Sequence, residues 1–225
     1  MLALKSEGET IVSNDFRFDA DGRFYLVTGP NHGGKSIFCY SIGMAQALFQ
    51  LGLPVPAEQA TMSPVTGIYT HFPTSDEDNY GKGRLESECA RISEILPCLR
   101  DTDLFLMDES FSSTSLIEAS YIASEVLAAI SEIGCGGVYV THIHELTQHV
   151  QELSTGPGKI DNLVAQMQNI ANGTRSYRVL RTTPDGLSYA KDIARKYGLS
   201  REEILRRREE AKPTEGGPVH ESVRQ

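Results

Sequence analysis

The chain has 225 residues, 40% of them hydrophobic and 23% charged, the composition of a soluble globular protein large enough to bury a core, and no apolar run is long enough to cross a bilayer. Its formal charge of −9, from 21 basic against 30 acidic residues, opposes a general affinity for nucleic-acid phosphates, so any DNA contact must be local or supplied by another region. Cys39, Cys89, Cys98 and Cys135 show no C-x-x-C spacing and follow no visible secretory signal, which predicts reduced thiols serving as small core residues in a cytoplasmic protein.

Phe16 and Phe18 alternate with Arg17, Asp21-Gly22 offers a turn, and Phe24 to Val27 is an apolar run, so this segment predicts a hairpin whose second arm is buried. Directly after it comes Gly29-Pro30-Asn31-His32-Gly33-Gly34-Lys35-Ser36, the pattern of a glycine-rich phosphate loop feeding a helix. Gly29, Gly33 and Gly34 fall where backbone N–H groups must close around phosphate oxygens without side chains in the way. Lys35 then reaches the terminal phosphates, Ser36 offers a hydroxyl to Mg2+, and the helix points its positive end at the anion. His32 either shapes the phosphate contacts or fills a tolerant position.

Ser36 to Gln50 is the loop's helix, with apolar residues at Ile37, Met44, Ala45 and Leu48 and an end near Gly52 and Pro54. Val65 to Phe72 predicts a strand, Thr74 to Gly83 a mobile exposed loop, and Leu85, Cys89, Ile92, Leu96 and Leu99 one face of a second helix. Leu104 to Met107 reads as a central parallel strand that presents Asp108 and Glu109 at its carboxyl end. Behind a phosphate loop this pair has the residue types for hydrolysis: Asp108 to hold Mg2+ together with Ser36, Glu109 to orient or deprotonate the attacking water.

A helix over Leu116 to Ile133 follows, closed by Gly134 to Gly137, and then a buried strand, Val138 to Val140, ends at Thr141-His142. His142 therefore stands where strand ends gather around a ligand and is a candidate contact for the terminal phosphate. His144 is a weaker candidate, equally suited to capping the next helix. Leu163 to Ile170 and Arg175 to Leu180 flank Asn172-Gly173 and predict a hairpin, read as an antiparallel appendage. Ser188 to Tyr197 predicts a helix, Ser200 with Glu203 a capping box opening a last helix through about Ala211, and Pro213 onward a disordered end.

Three motifs in order, Gly29-Pro30-Asn31-x-Gly33-Gly34-Lys35-Ser36, Leu106-Met107-Asp108-Glu109 followed by Ser113-Thr114-Ser115, and Thr141-His142-x-His144-Glu145-Leu146, resemble the ATPase domain of the MutS family of DNA mismatch-repair proteins. The resemblance covers most of the chain and takes in Gly186-Leu187-Ser188-Tyr189-Ala190. It implies a P-loop NTPase of ABC-ATPase type: an α/β fold with a mixed β-sheet flanked by helices and a short C-terminal helical tail. On that basis residues 1–187 form the ATPase domain, 188–212 a helical segment and 213–225 a disordered tail.

The resemblance further implies ATP and Mg2+ as ligands, held by residues 29 to 36 with Asp108, a hydrolytic Glu109, and His142 as a switch histidine. It implies a homodimer whose two subunits face each other across composite nucleotide sites, with Ser113 to Ser115 in the loop that communicates across the dimer; those residues equally suit a capped helix start. Where the family presents a Ser-Thr pair ahead of a helix, aligned through Glu88, this chain has Gly83-Arg84. Arg84 either contacts the opposite triphosphate or is a solvated loop residue, and Glu88 is open to reading as a surface acid. There is no room for mismatch-reading, connector, lever or clamp regions, so the chain is expected to be a fragment that meets DNA through regions absent from it. The function expected is ATP hydrolysis driving dimer closure coupled to DNA mismatch binding. The alternative is an ATP-dependent clamp with little turnover in a MutS-like or other ABC-type DNA-maintenance protein without a mismatch-repair role.

Overall fold

A computed structural model describes residues 11–73, 83–169, 174–184 and 197–210. The elements in chain order are β1 (Phe24–Thr28), α1 (Lys35–Gln50), β2 (Ile68–His71), α2 (Arg84–Ile95, running into a 3-10 turn at Leu96–Cys98), β3 (Leu104–Asp108), α3 (Leu116–Ile133), β4 (Gly136–Val140), the short α4 (His144–Gln148) and α5 (Val150–Leu153), β5 (Ile160–Asn169), β6 (Thr174–Arg181) and α6 (Arg201–Glu210). The six strands form one sheet in the order β2-β3-β4-β1-β5-β6. All neighbours pair in parallel except β5 and β6, which are antiparallel.

Every residue of β1, β3 and β4 is buried, as expected of central parallel strands covered on both faces. Their period-2 alternation sorts side chains into two cores. Phe24, Leu26, Phe105, Met107 and Tyr139 face α3, whose Ala119, Ala123, Leu127 and Ile130 meet them, together with Ile92 of α2. Tyr25, Val27, Leu104, Leu106, Val138 and Val140 face the other way, against Phe38 and Cys39 of α1. Burying one such large apolar side chain contributes roughly 1.5–3 kcal/mol. The two cores clamp the sheet so that the carboxyl ends of β1, β3 and β4 open on one edge.

Four expectations are corrected. Residues 11–19 form no strand, so the hairpin ahead of the loop is absent. The reason is that β1 already pairs with β4 on one edge and β5 on the other, leaving no backbone to bond. Phe16 packs its ring on Tyr25 and Phe38 instead, at 5.4 and 5.7 Å between centroids. The strand predicted over Val65 to Phe72 narrows to β2. The β5–β6 pair is no appendage, because β5 lies in parallel register with β1, Phe24 opposite Ile160 through Thr28 opposite Val164. On α1, Ile37 and Met44 are 67% and 59% exposed, while Lys35, Phe38, Cys39 and Gln46 are buried. The loop dictates that rotation: Lys35 must turn back onto it, which carries positions three and four later onto the sheet.

The bounds of α3 agree with the sequence reading, and its start is capped by Ser115, whose Oγ accepts the Glu118 N–H. At α6 the Ser200 Oγ accepts the Glu203 N–H at 3.2 Å. The Asn172-Gly173 turn, the Ser188 to Tyr197 helix, the tail from Pro213 and nearly all of the Thr74 to Gly83 loop lie outside the described residues. Among the described residues, no helix is long and apolar enough to cross a membrane.

Candidate functional site

The chain leaves β1 through a loop that only glycine can form at its first position. Gly29 has φ +130°, and a Cβ there would stand 2.7 Å from the Ala165 carbonyl oxygen of β5. Gly34, with φ +89°, occupies the N-cap of α1 without any side-chain cap, so the helix's first N–H groups are left directed at the loop. His32 also has positive φ, 58°, and like Asn31 is exposed. Pro30 closes the loop from within, its carbonyl accepting the Gly33 N–H at 3.1 Å. Lys35 is only 5% exposed and folds back over the loop, its Nζ donating to the carbonyls of Gly29 at 3.1 Å and Pro30 at 3.0 Å. A cation so placed is kept beside a backbone that anions favour.

The next residue joins loop to sheet. Ser36 Oγ donates to Asp108 Oδ1 at 3.1 Å, and Tyr40 OH, one turn further along α1, donates to Asp108 Oδ2 at 2.6 Å. Asp108 is 3% exposed at the end of β3. Glu109 leaves the strand with φ 49° while its N–H donates to the Val140 carbonyl at 2.8 Å. Its Oε1 lies 2.7 Å from Nε2 of His142, which follows β4. Both side chains are about 40% exposed, so this pair faces solvent on the same edge as the loop. Buried lysine and aspartate with a half-buried serine thus form one half of the site, and an accessible carboxylate–imidazole pair the other.

His144 is not hydrogen-bonded to Glu109; its backbone N–H donates to the His142 carbonyl at 3.0 Å. Burial, with His142 and Lys35 nearby, holds its imidazole below the ordinary value. It is not the helix cap, since Ile143 occupies that position. Ser115 and Thr114 lie at the exposed start of α3, where both bond the Glu118 carboxylate. Arg84 opens α2 half exposed and pairs with Glu88 at 3.6 Å.

Three residues had no role in the sequence reading. Glu88, open there to reading as a surface acid, is 13% exposed in its side chain, and its Oε2 accepts the Phe111 N–H at 2.7 Å, tying α2 to the loop after Glu109. His71, buried at the end of β2, bonds Ser110 Oγ through Nδ1 at 2.6 Å, and Tyr139 OH donates to the Ser110 carbonyl at 2.7 Å. Burial, with Arg91 nearby, pushes the His71 imidazole down to about 4. Tyr40 was legible in principle: it sits four residues after Ser36 and so shares its helix face. Glu88 and His71 carried no such signal, because their partners are 23 and 39 residues away.

A family model described as MutS domain V matches residues 25–213. The DNA mismatch repair protein MutS of Chlorobium phaeovibrioides is 31% identical over 204 residues, covering 89% of this chain and 23% of its own length. That of Thermus aquaticus is 32% identical over 183 residues, 81% and 22%. That of Clostridium kluyveri is 30% identical over 222 residues, 97% and 25%. The chain spans about a quarter of the length of these curated relatives.

Proposed function

The chain belongs to the MutS family, and on that premise we propose that it is an ATP-binding and ATP-hydrolysing module, a P-loop NTPase of ABC-ATPase type. The observation that carries this reading is the junction of Ser36 with Asp108 at 3.1 Å beneath a glycine loop whose lysine is folded inward. A hydroxyl and a carboxylate at the amino end of a helix are hard oxygen donors of the kind Mg2+ takes, and the loop's N–H groups and positive helix end suit a triphosphate. The residues present therefore fit both groups. Ser36 and Asp108 would hold the cation, and residues 29 to 36 the phosphates. A bound cation supplies neutralisation of the charge that develops on the phosphate oxygens.

The protein's own part is positioning. Lys35 exchanges its two carbonyl partners for phosphate oxygens, gaining a charged acceptor in place of neutral ones. Glu109, fixed by its strained backbone and by His142, orients a water and accepts its proton. His142, bonded to that carboxylate, reports phosphate occupancy to β4 and the segment that follows. Because the Glu109–His142 edge is exposed, a second copy facing it completes the enclosure, and ATP then stabilises a homodimer. DNA mismatch binding and its coupling to closure would belong to regions outside this chain. Residues 1–187 form the catalytic unit, with 188–212 as a helical extension.

The test compares Glu109→Gln and Lys35→Ala with the unaltered protein in a phosphate-release assay and in binding of a fluorescent ATP analogue. Glu109→Gln loses about 100-fold or more of the release rate, the scale of a general base, and keeps the analogue. Lys35→Ala loses the analogue. Analogue binding unchanged by Lys35→Ala would remove the site from the loop.

A further inference from the structure

Resting on the nucleotide and cation reading above, we infer that Tyr40 is the positioning residue for the hydrated divalent cation, acting by holding the Asp108 carboxylate in one orientation. A carboxylate rotates over a broad range about its terminal torsion, so a single donor leaves its second oxygen undirected. Here both oxygens are directed. Ser36 takes Oδ1 at 3.1 Å and Tyr40 takes Oδ2 at 2.6 Å, so the shorter bond is on the oxygen that Ser36 leaves open.

The tyrosine is itself held. Its ring lies 4.5 Å from that of Phe72, tilted at 52°, and Phe72 directly follows β2. Three elements therefore converge on one carboxylate: α1 through Ser36 and Tyr40, β3 through Asp108, and the end of β2 through Phe72. Asp108 is 3% exposed, whereas Tyr40 is 36% exposed. The bond therefore joins a partly exposed residue to the buried acid. The Tyr40 O–H donates to Asp108, and the same oxygen keeps lone pairs able to accept a bond from water. A cation such as Mg2+ keeps several waters when it binds, so an acceptor at that place suits its hydrated form.

Tyr40→Phe removes the hydroxyl and keeps the ring on Phe72, which separates positioning from packing. The measurement is Mn2+ binding followed by electron paramagnetic resonance, with a non-hydrolysable ATP analogue present at saturation. The Mn2+ dissociation constant rises about 10-fold or more, the scale on which outer partners of metal ligands act. Analogue binding in the presence of chelator stays at the unaltered value, as does the melting temperature without ligand. An equal Mn2+ constant in the two proteins overturns the role of Tyr40 while leaving the site standing. Failure of the unaltered protein to bind Mn2+ with the analogue overturns the cation site and this role together.

Discussion

Glu88 gives the sharpest test of how the edge that carries Glu109 is held. The fully buried Phe111 has φ 65°, an unfavourable left-handed conformation for a bulky residue, and its N–H finds its acceptor in Glu88 Oε2 at 2.7 Å. Glu88→Ala deletes a carboxylate acceptor and strands a donor inside the protein. A hydrogen bond to a charged group is worth roughly 1.5–3 kcal/mol, and an unsatisfied buried donor costs about 1–3 kcal/mol, two descriptions of the same loss rather than a sum. The Arg84 pair adds little, because that guanidinium is half exposed and its partner is 3.6 Å away. The expected loss of unfolding free energy is therefore roughly 2–3 kcal/mol for Glu88→Ala. Glu88→Gln keeps an oxygen acceptor without the charge and loses about 1 kcal/mol. Urea denaturation reads both values as midpoint shifts at constant slope. Phe111 stands two residues after Glu109, so turnover falls in the same order, Ala below Gln, with nucleotide affinity little changed. A Glu88→Ala protein within about 0.5 kcal/mol of the unaltered one, the range of an ordinary surface substitution, refutes the account.

Two further outcomes follow from the same edge of the sheet. His71 is held neutral by burial, its value moved from 6.5 down to about 4, so between those limits the unfolded chain carries a proton that the folded chain does not. Its contribution to stability is complete above pH 6.5 and declines as pH falls toward 4, by roughly 1.4 kcal/mol per unit inside that window. Denaturation at a series of pH values shows a flatter acid slope for His71→Asn; parallel slopes would contradict the assignment. Gly29→Ala forces a Cβ to 2.7 Å from the Ala165 carbonyl at φ +130°, which costs about 1–3 kcal/mol and displaces the loop. Its melting temperature and its nucleotide binding fall together, and a loss of neither would mean the loop relaxes freely.

The parts of this fold that were legible share a local cause. Leu104–Met107 and Val138–Val140 announce themselves as short apolar runs with punctuation at their ends, although β4 itself begins two residues earlier at Gly136, inside the stretch read as the helix closure. Leu116–Ile133 has its cap, its periodicity and its closing glycine within one stretch. The loop from Gly29 to Ser36 is legible for the same reason, since its backbone conformation depends on glycine at named positions. What was misread depended on neighbours far along the chain. The arm at Phe16 and Phe18 alternates as a strand does, yet β4 and β5 had already taken both edges of β1. Ile37 and Met44 stand at the helical spacing that marks the helix, yet the inward turn of Lys35 rotates them to solvent.

The amino-acid order by itself determined which segments become strand, loop and helix around residues 24 to 50 and 104 to 142, because hydrophobic period, capping and glycine geometry act over a few residues. Tertiary structure alone decided that β5 pairs with β1, that Glu88 holds Phe111, and that Tyr40 and Ser36 share Asp108. Those contacts join positions tens of residues apart, and their partners are selected by burial and by whichever backbone edge or carboxylate oxygen the assembled sheet leaves open, quantities that no short stretch of chain contains.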